Sequence, residues 1–284
     1  MKASLRLLLL TFGTVGFLAA GSTFLRACGA SRIYEAKDHP LLKKDFVVVA
    51  LNGGSGEKPA NTFEAFDHAE KSGAWLHVPL RLTKDYRLIA HSEDRVGQTG
   101  AFIRDLTLAE VQKAATESGT PNVPTLDDVV KRYRKTAIWA ELLDNSLPAG
   151  IDITERIQRA GAFERFVFSS PQTPPLVEYR NLRPTWLTAS SFDEAERISM
   201  LATLGLQGVG GIKGDFLIAP LFRERVEILS GALVLEAHKR FKKVIAWNIN
   251  NEADLKRALE LHVDGVATEN PELLHGIMRS SSRP

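Results

Sequence analysis

The stretch Phe46-Val47-Val48-Val49-Ala50-Leu51-Asn52-Gly53-Gly54-Ser55-Gly56-Glu57-Lys58-Pro59-Ala60-Asn61-Thr62-Phe63-Glu64-Ala65 decides the reading of the fold. Phe46 to Leu51 is apolar at every position and too short for a helix. That is the pattern of a parallel strand covered on both faces. The glycines after it mark a loop. Asn61 with Glu64 three residues on predicts a capping box. Phe63, Phe66 and Ala69 then supply an apolar stripe at helical spacing, which Gly73 ends. Strand, glycine loop and helix make the opening of a βαβ unit.

The same alternation continues outward. From Trp75 to Leu82, Leu76, Val78, Leu80 and Leu82 fall on one face and Trp75, His77, Pro79 and Arg81 on the other. Leu88–His91, Ala137–Leu142, Phe166–Ser169, Thr185–Leu187, Gly208–Gly210, Val244–Trp247 and Gly265–Thr268 read as further strands, separated mostly by helical patterns. Thr107 with Glu110, and Thr125 with Asp128, predict two more helix starts. Strands alternating with helices imply a parallel sheet, and around eight such units imply a TIM-type (β/α)8 barrel. A doubly wound open sheet is the alternative. Gly53-Gly54-Ser55-Gly56 lacks the G-x-G-x-x-G spacing of a dinucleotide site.

Composition narrows the function classes. With 284 residues, 44% hydrophobic and 25% charged, the chain has ordinary globular character. A net charge of +2 with dispersed cations gives no footprint for nucleic acid. A single cysteine, Cys28, excludes a disulfide scaffold and a cysteine-rich metal site.

At the N-terminus, Lys2 and Arg6 precede an uncharged run from Leu7 to Leu25, closed by Arg26. Its length suits an uncleaved anchor helix. Ala19-Ala20-Gly21 suits a cleaved signal, and Leu25-Arg26-Ala27-Cys28 resembles a lipoprotein site lipidated at Cys28. All three readings put the following domain outside the cytoplasm, periplasmic or extracellular, with the membrane as a partner. The expected plan is a signal or anchor segment over 1–26, a linker over 27–44, the barrel over 45–279 and a tail over 280–284.

Three stretches together resemble the glycerophosphodiester phosphodiesterase family, a phosphatidylinositol-phosphodiesterase-like barrel of lipid metabolism. They are ALNGGSGEKPANTFEA from Ala50 to Ala65, WLHVPLRLTKDYRLIAH from Trp75 to His91, and WNIN, VDGVAT and ENPELL between Val244 and Leu274. VPTLDD at Val123–Asp128 and the strand ending in Glu141 fall in the same order. The resemblance covers nearly everything after the linker and is weakest between about residues 145 and 240. It implies a mechanism in which carboxylates hold a hard divalent cation, two histidines move protons, and an arginine and a lysine neutralise the phosphodiester.

Matched residue by residue, most of those groups are replaced. The histidines fall at Leu51 and His91, the arginine at Asn52, and the lysine at Leu143. The metal carboxylates fall at Ala60, His77, Pro79 and Glu141. Only His91 and Glu141 keep the expected type. One lost acid–base group costs ~10²–10⁴ in rate, and one lost electrostatic contact ~10²–10³. The expectation is therefore a pseudoenzyme without cofactor, acting as a scaffold or binding a partner protein or lipid headgroup, with His91 and Glu141 as remnants.

The pocket should be lined by Glu57, His77, Arg81, His91, Glu141 and Trp247, apolar where Leu51 and Leu143 stand, and poor at binding phosphate. Pro79, lacking an N–H, should break the ladder beside it. The alternative is a divergent phosphodiesterase with a remodelled divalent-metal site, His77, His91 and Glu141 being a conceivable zinc set. His68, His238, His262 and His275 show no ligand spacing.

Overall fold

The computed structural model describes residues 39–281 except 99, 121, 145–146, 209 and 225. The expected N-terminal helix, Cys28 and the end of the tail lie outside the described residues. Among the described residues no helix is long and apolar enough to cross a membrane.

Eight parallel strands form the barrel: β1 (Val47–Ala50), β2 (Trp75–Leu82), β3 (Ile138–Leu142), β4 (Phe166–Ser169), β5 (Leu187–Thr188), β6 (Phe216–Pro220), β7 (Lys243–Trp247) and β8 (Gly265–Thr268). They pair in the order β5-β4-β3-β2-β1-β8-β7-β6. The ring closes between β5 and β6 through a bridge from Ala189 to Phe216. Asp215 supports that closure: its N–H donates to the Thr188 carbonyl at 2.6 Å, and its carboxylate accepts the Thr188 N–H at 2.9 Å.

The alternation in β2 is realised as read. Leu76, Val78 and Leu80 face the helices, while Trp75 points into the barrel with Val47, Val49, Trp139, Val167, Phe216 and Ile218. Trp75 and Trp139 both meet Phe216 edge-on, at centroid distances of 6.1 and 5.3 Å. The Trp139 indole N–H donates to Ser169 at 2.9 Å, so its burial leaves no unpaired donor. The interior is a packed core with room for chemistry only at its mouth.

Four helices matter below: α1 (Phe63–Ser72), α2 (Leu108–Glu117), α3 (Leu126–Arg132) and α4 (Leu147–Arg159). Thr107 with Glu110 and Thr125 with Asp128 start helices as expected, each with a capping box, whereas the box expected from Asn61 and Glu64 does not form. At α1 the cap is Thr62, which accepts the Ala65 N–H. Asn61 stands one residue earlier with φ 58°, its side chain drawn toward the mouth. Between β2 and β3, Ile89, Val96, Ile103, Val111, Ala115 and Val123 pack into a satellite core beside the mouth.

Three expectations change. The sixth strand is Phe216–Pro220, not Gly208–Gly210. A side chain at Gly210 would strike Ile198 and Leu201, so the chain passes close over a helix at Gly210. The segment expected as linker folds at its end into a short 3₁₀ turn, Pro40–Lys43, whose Leu41 joins the inner core. Pro79 does not break the ladder: β2 pairs with β3 from Leu76 to Leu80, with Pro79 opposite Glu141. Pairing of β1 with β2 has already ended at Leu76, so the missing N–H costs no strand bond there.

Candidate functional site

The mouth is built on the strand ends. β1 runs into Asn52, which has φ 54° and donates its backbone N–H to His77 Nδ1 at 3.2 Å. His77 Nε2 lies 3.2 Å from Glu141 Oε2 on the neighbouring strand. A ring nitrogen that accepts a backbone N–H leaves the imidazole proton on the other, so Nε2 donates to the carboxylate. His77 is 3% exposed. Trp247 sits edge-on to it at 5.7 Å and also meets Phe192 at 6.5 Å, walling the far side.

A second polar chain adjoins this pair. Asn61 Nδ2 donates to Ser92 Oγ at 2.9 Å, and Ser92 Oγ donates to Asn52 Oδ1 at 3.1 Å. Asn61 Oδ1 is buried without a protein partner, an acceptor available to a donor from a ligand. Asn52, Asn61, Ser92 and His91 line a cleft of about 420 Å³ that opens toward the satellite core.

Other expected pocket residues turn elsewhere. Arg81 donates to the Leu143 carbonyl, to Asp144 Oδ1 at 3.2 Å and to the Ser92 carbonyl at 3.1 Å. Its charge is offset by Asp144. His91 Nδ1 faces the Glu93 carbonyl at 2.9 Å. Glu57 accepts the backbone N–H groups of Glu272 and Leu273, capping the last helix, Pro271–Ser281.

Sequence reasoning missed Asn61 and Ser92 as site residues. Their signal is local: Asn61 precedes the helix cap, and Ser92 follows the expected histidine. It also missed His68, whose Nε2 lies 2.8 Å from Glu57 and 3.4 Å from Glu272.

Residues 52–273 match the model of the glycerophosphoryl diester phosphodiesterase family. The chain belongs to that family. A Bacillus subtilis glycerophosphodiester phosphodiesterase is 26% identical over 272 residues, covering 84% of this chain and 89% of that protein. A Bacillus altitudinis glycerophosphodiester phosphodiesterase is 27% identical over 244 residues, covering 79% and 95%. Among solved structures, the glycerophosphoryl diester phosphodiesterase domain of a Mycobacterium tuberculosis protein superposes with a TM-score of 0.70 at 15% identity, covering 83% of this chain and 100% of that one. An Oleispira antarctica phosphodiesterase in complex with sn-glycerol-3-phosphate gives 0.64 at 19% identity, covering 82% and 96%.

The family is typically metal-dependent, and the mouth tests poorly against a hard divalent cation. Such ions take several oxygen ligands. Here Glu141 stands on β3, Ala60 and Pro79 fall where the resemblance implies further carboxylates, and His77 has both nitrogens engaged. Among the described residues, the group that brings three donor atoms within 4.8 Å is Glu57, His68 and Glu272. Among the described residues the alternative zinc set of His77, His91 and Glu141 is therefore not assembled: His91 stands apart from the His77–Glu141 pair. In the Glu57 group the carboxylate already caps a helix, whose N-terminus favours the anion and repels a cation.

Proposed function

We propose that this chain is a glycerophosphodiester phosphodiesterase-family barrel whose mouth binds a ligand without performing metal-assisted hydrolysis. The observation that carries this reading is the His77–Glu141 hydrogen bond. It closes, within the protein, the place where the resemblance puts metal-binding carboxylates. The polar groups lining the cleft are the amides of Asn52 and Asn61, the hydroxyls of Ser92, Ser118 and Thr120, the His91 imidazole, and the oppositely charged Glu93 and Arg95. These suit a neutral, hydroxyl-bearing headgroup better than a phosphodiester monoanion, since Arg81 is already paired with Asp144 and Glu93 offsets the charge of Arg95. A partner protein could present the same chemistry.

The purified full chain, assayed on glycerophosphodiesters with Mg²⁺, Ca²⁺ or Mn²⁺, should show no turnover. Metal-dependent turnover abolished by His91→Ala would overturn the proposal. Inorganic phosphate and glycerol 3-phosphate should bind weakly. The combined variant Leu51→His, Asn52→Arg, Ala60→Glu, His77→Glu, Pro79→Asp and Leu143→Lys should bind both more tightly.

The second reading, a divergent phosphodiesterase with a rebuilt metal site, is favoured by the Glu57–His68–Glu272 group and by the names of the relatives. It requires a stoichiometric metal in elemental analysis and a rise in thermal stability on adding that metal.

A further inference from the structure

We propose that the floor of the barrel, around Phe241, rests on an anionic membrane surface, with the mouth turned away from it. The floor is the end where all eight parallel strands begin. The proposal rests on reading the apolar run Leu7–Leu25 as membrane-associated.

The central observation is the segment His238-Lys239-Arg240-Phe241-Lys242-Lys243, which leads from the helix Gly231–Lys239 into β7. The helix closes with a doubled turn: the Phe241 N–H donates to the His238 carbonyl at 2.9 Å and the Lys242 N–H to the Ala237 carbonyl at 3.0 Å. This closure needs a left-handed residue, normally glycine or asparagine. Phe241 occupies it with φ 57° and leaves its ring 63% exposed. A bulky residue in that conformation is strained, and its ring gains little from the protein, so neither folding nor packing accounts for it.

Its surroundings extend the patch. Arg240 donates to the carbonyls of Gly208 at 3.0 Å and Gln207 at 3.4 Å, tying down the adjacent connection that carries Leu204 and Leu206. These leucines are 67% and 47% exposed. On the other side, Lys243 Nζ donates to the Lys44 carbonyl at 3.2 Å, seating the turn that bears Lys43 and Lys44 beside the same ring. A groove of about 300 Å³ runs between Leu42, His238 and Phe241. Lys43, Lys44 and Lys239 are exposed around it, with one exposed acid, Asp45, following Lys44. The facing acids Asp264 and Glu236 are engaged by Lys243, His238 and Arg240.

Apolar tips ringed by lysines are the chemistry of an interfacial contact with anionic lipid. The chain supplies the geometry. It enters the fold at His39, on this floor, and residues 27–38 separate that point from the apolar run. Even fully extended, such a stretch reaches only about 40 Å. The mouth also exposes apolar side chains, Phe222 and Val226, but Glu224 stands beside them and Glu196 and Glu227 are matched by Arg223 and Arg257, so that rim carries no surplus of positive charge. Charge therefore selects the floor.

The test uses the full chain on vesicles of phosphatidylcholine with or without phosphatidylglycerol, carrying dibrominated acyl chains. A ring at the headgroup–acyl boundary sits ~5–10 Å deep, within reach of bromine quenching. Phe241→Trp should add emission that is quenched in the anionic vesicles, while Phe222→Trp at the mouth should not be quenched. Lys44→Glu and Lys239→Glu should each weaken the quenching-linked association by roughly fivefold. Flotation of the chain without quenching at position 241 would leave the anchor intact and overturn floor docking. Failure to float on anionic vesicles, quenching at position 222 instead, or a concentration-dependent blue shift without quenching would each overturn it as well.

Discussion

His77 is held from both sides: its Nδ1 accepts the Asn52 N–H at 3.2 Å and its Nε2 faces Glu141 at 3.2 Å. A histidine inside β2 is thereby locked to the turn that follows β1 and to β3. Glu141→Ala should leave a buried N–H without its acceptor and cost ~1–3 kcal/mol. Urea unfolding should show a lower midpoint with an unchanged slope. Glu141→Gln keeps an acceptor and should cost less. Equal stability of all three proteins would show that the pair does not support the mouth.

Gly214 offers a sharper probe of barrel closure. It has φ 75°, and a Cβ there would approach the Ala189 backbone within 2.8–2.9 Å. Both the conformation and the space demand glycine. Gly214→Ala should destabilise the protein by ~1–3 kcal/mol. Hydrogen exchange should accelerate first at the Ala189 and Ser190 amides, which bridge β4 and β6.

Acid should loosen the floor. His39 Nδ1 accepts the Leu41 N–H at 3.3 Å and starts the turn that buries Leu41. Burial holds its pKa below the ordinary 6.5, against the pull of Glu164 and Asp215. A depressed value means that the unfolded chain takes up the proton first. This contribution is complete above about pH 6.5 and is lost as pH falls toward the folded value. Melting temperatures between pH 8 and 5 should fall more steeply for the parent than for His39→Asn.

The pair Arg180–Glu194 is the most deeply buried two-pronged ion pair described, with N–O distances of 2.7 and 3.0 Å. It joins the helices Thr173–Leu182 and Phe192–Thr203. Glu194→Ala strands a buried guanidinium and should cost ~3–5 kcal/mol. Calorimetry of Glu194→Gln should fall between the two.

The barrel was legible because its signal is local and repeated. Val47–Ala50 and Val244–Trp247 are apolar throughout, and Thr107 and Thr125 announce their helices by side chains three residues away. The sixth strand was misplaced because Gly208-Val209-Gly210 looks like a strand beside glycines, whereas the true one follows the tight turn at Gly214. At the mouth, His77 could be placed from strand alternation, and Glu141 and Trp247 from the resemblance. Arg81 and Glu57 could not: their partners are Asp144, just past the end of β3, and the first turn of the last helix at Glu272, which alternation does not encode. His68 escaped for the same reason. Pro79 was misjudged because its effect depends on where a neighbouring strand stops.

The uneven seams give the ring a direction of stiffness. β2 and β3 are laced together from Leu76 to Leu80, whereas β5 and β6 meet through a bridge and the bonds of Asp215. A load applied at the rim will deform the short stave, not the long ones. The cask should therefore ovalise along one diameter, yielding beside Ala189 and Phe216 while the wall that carries His77 and Glu141 keeps its shape.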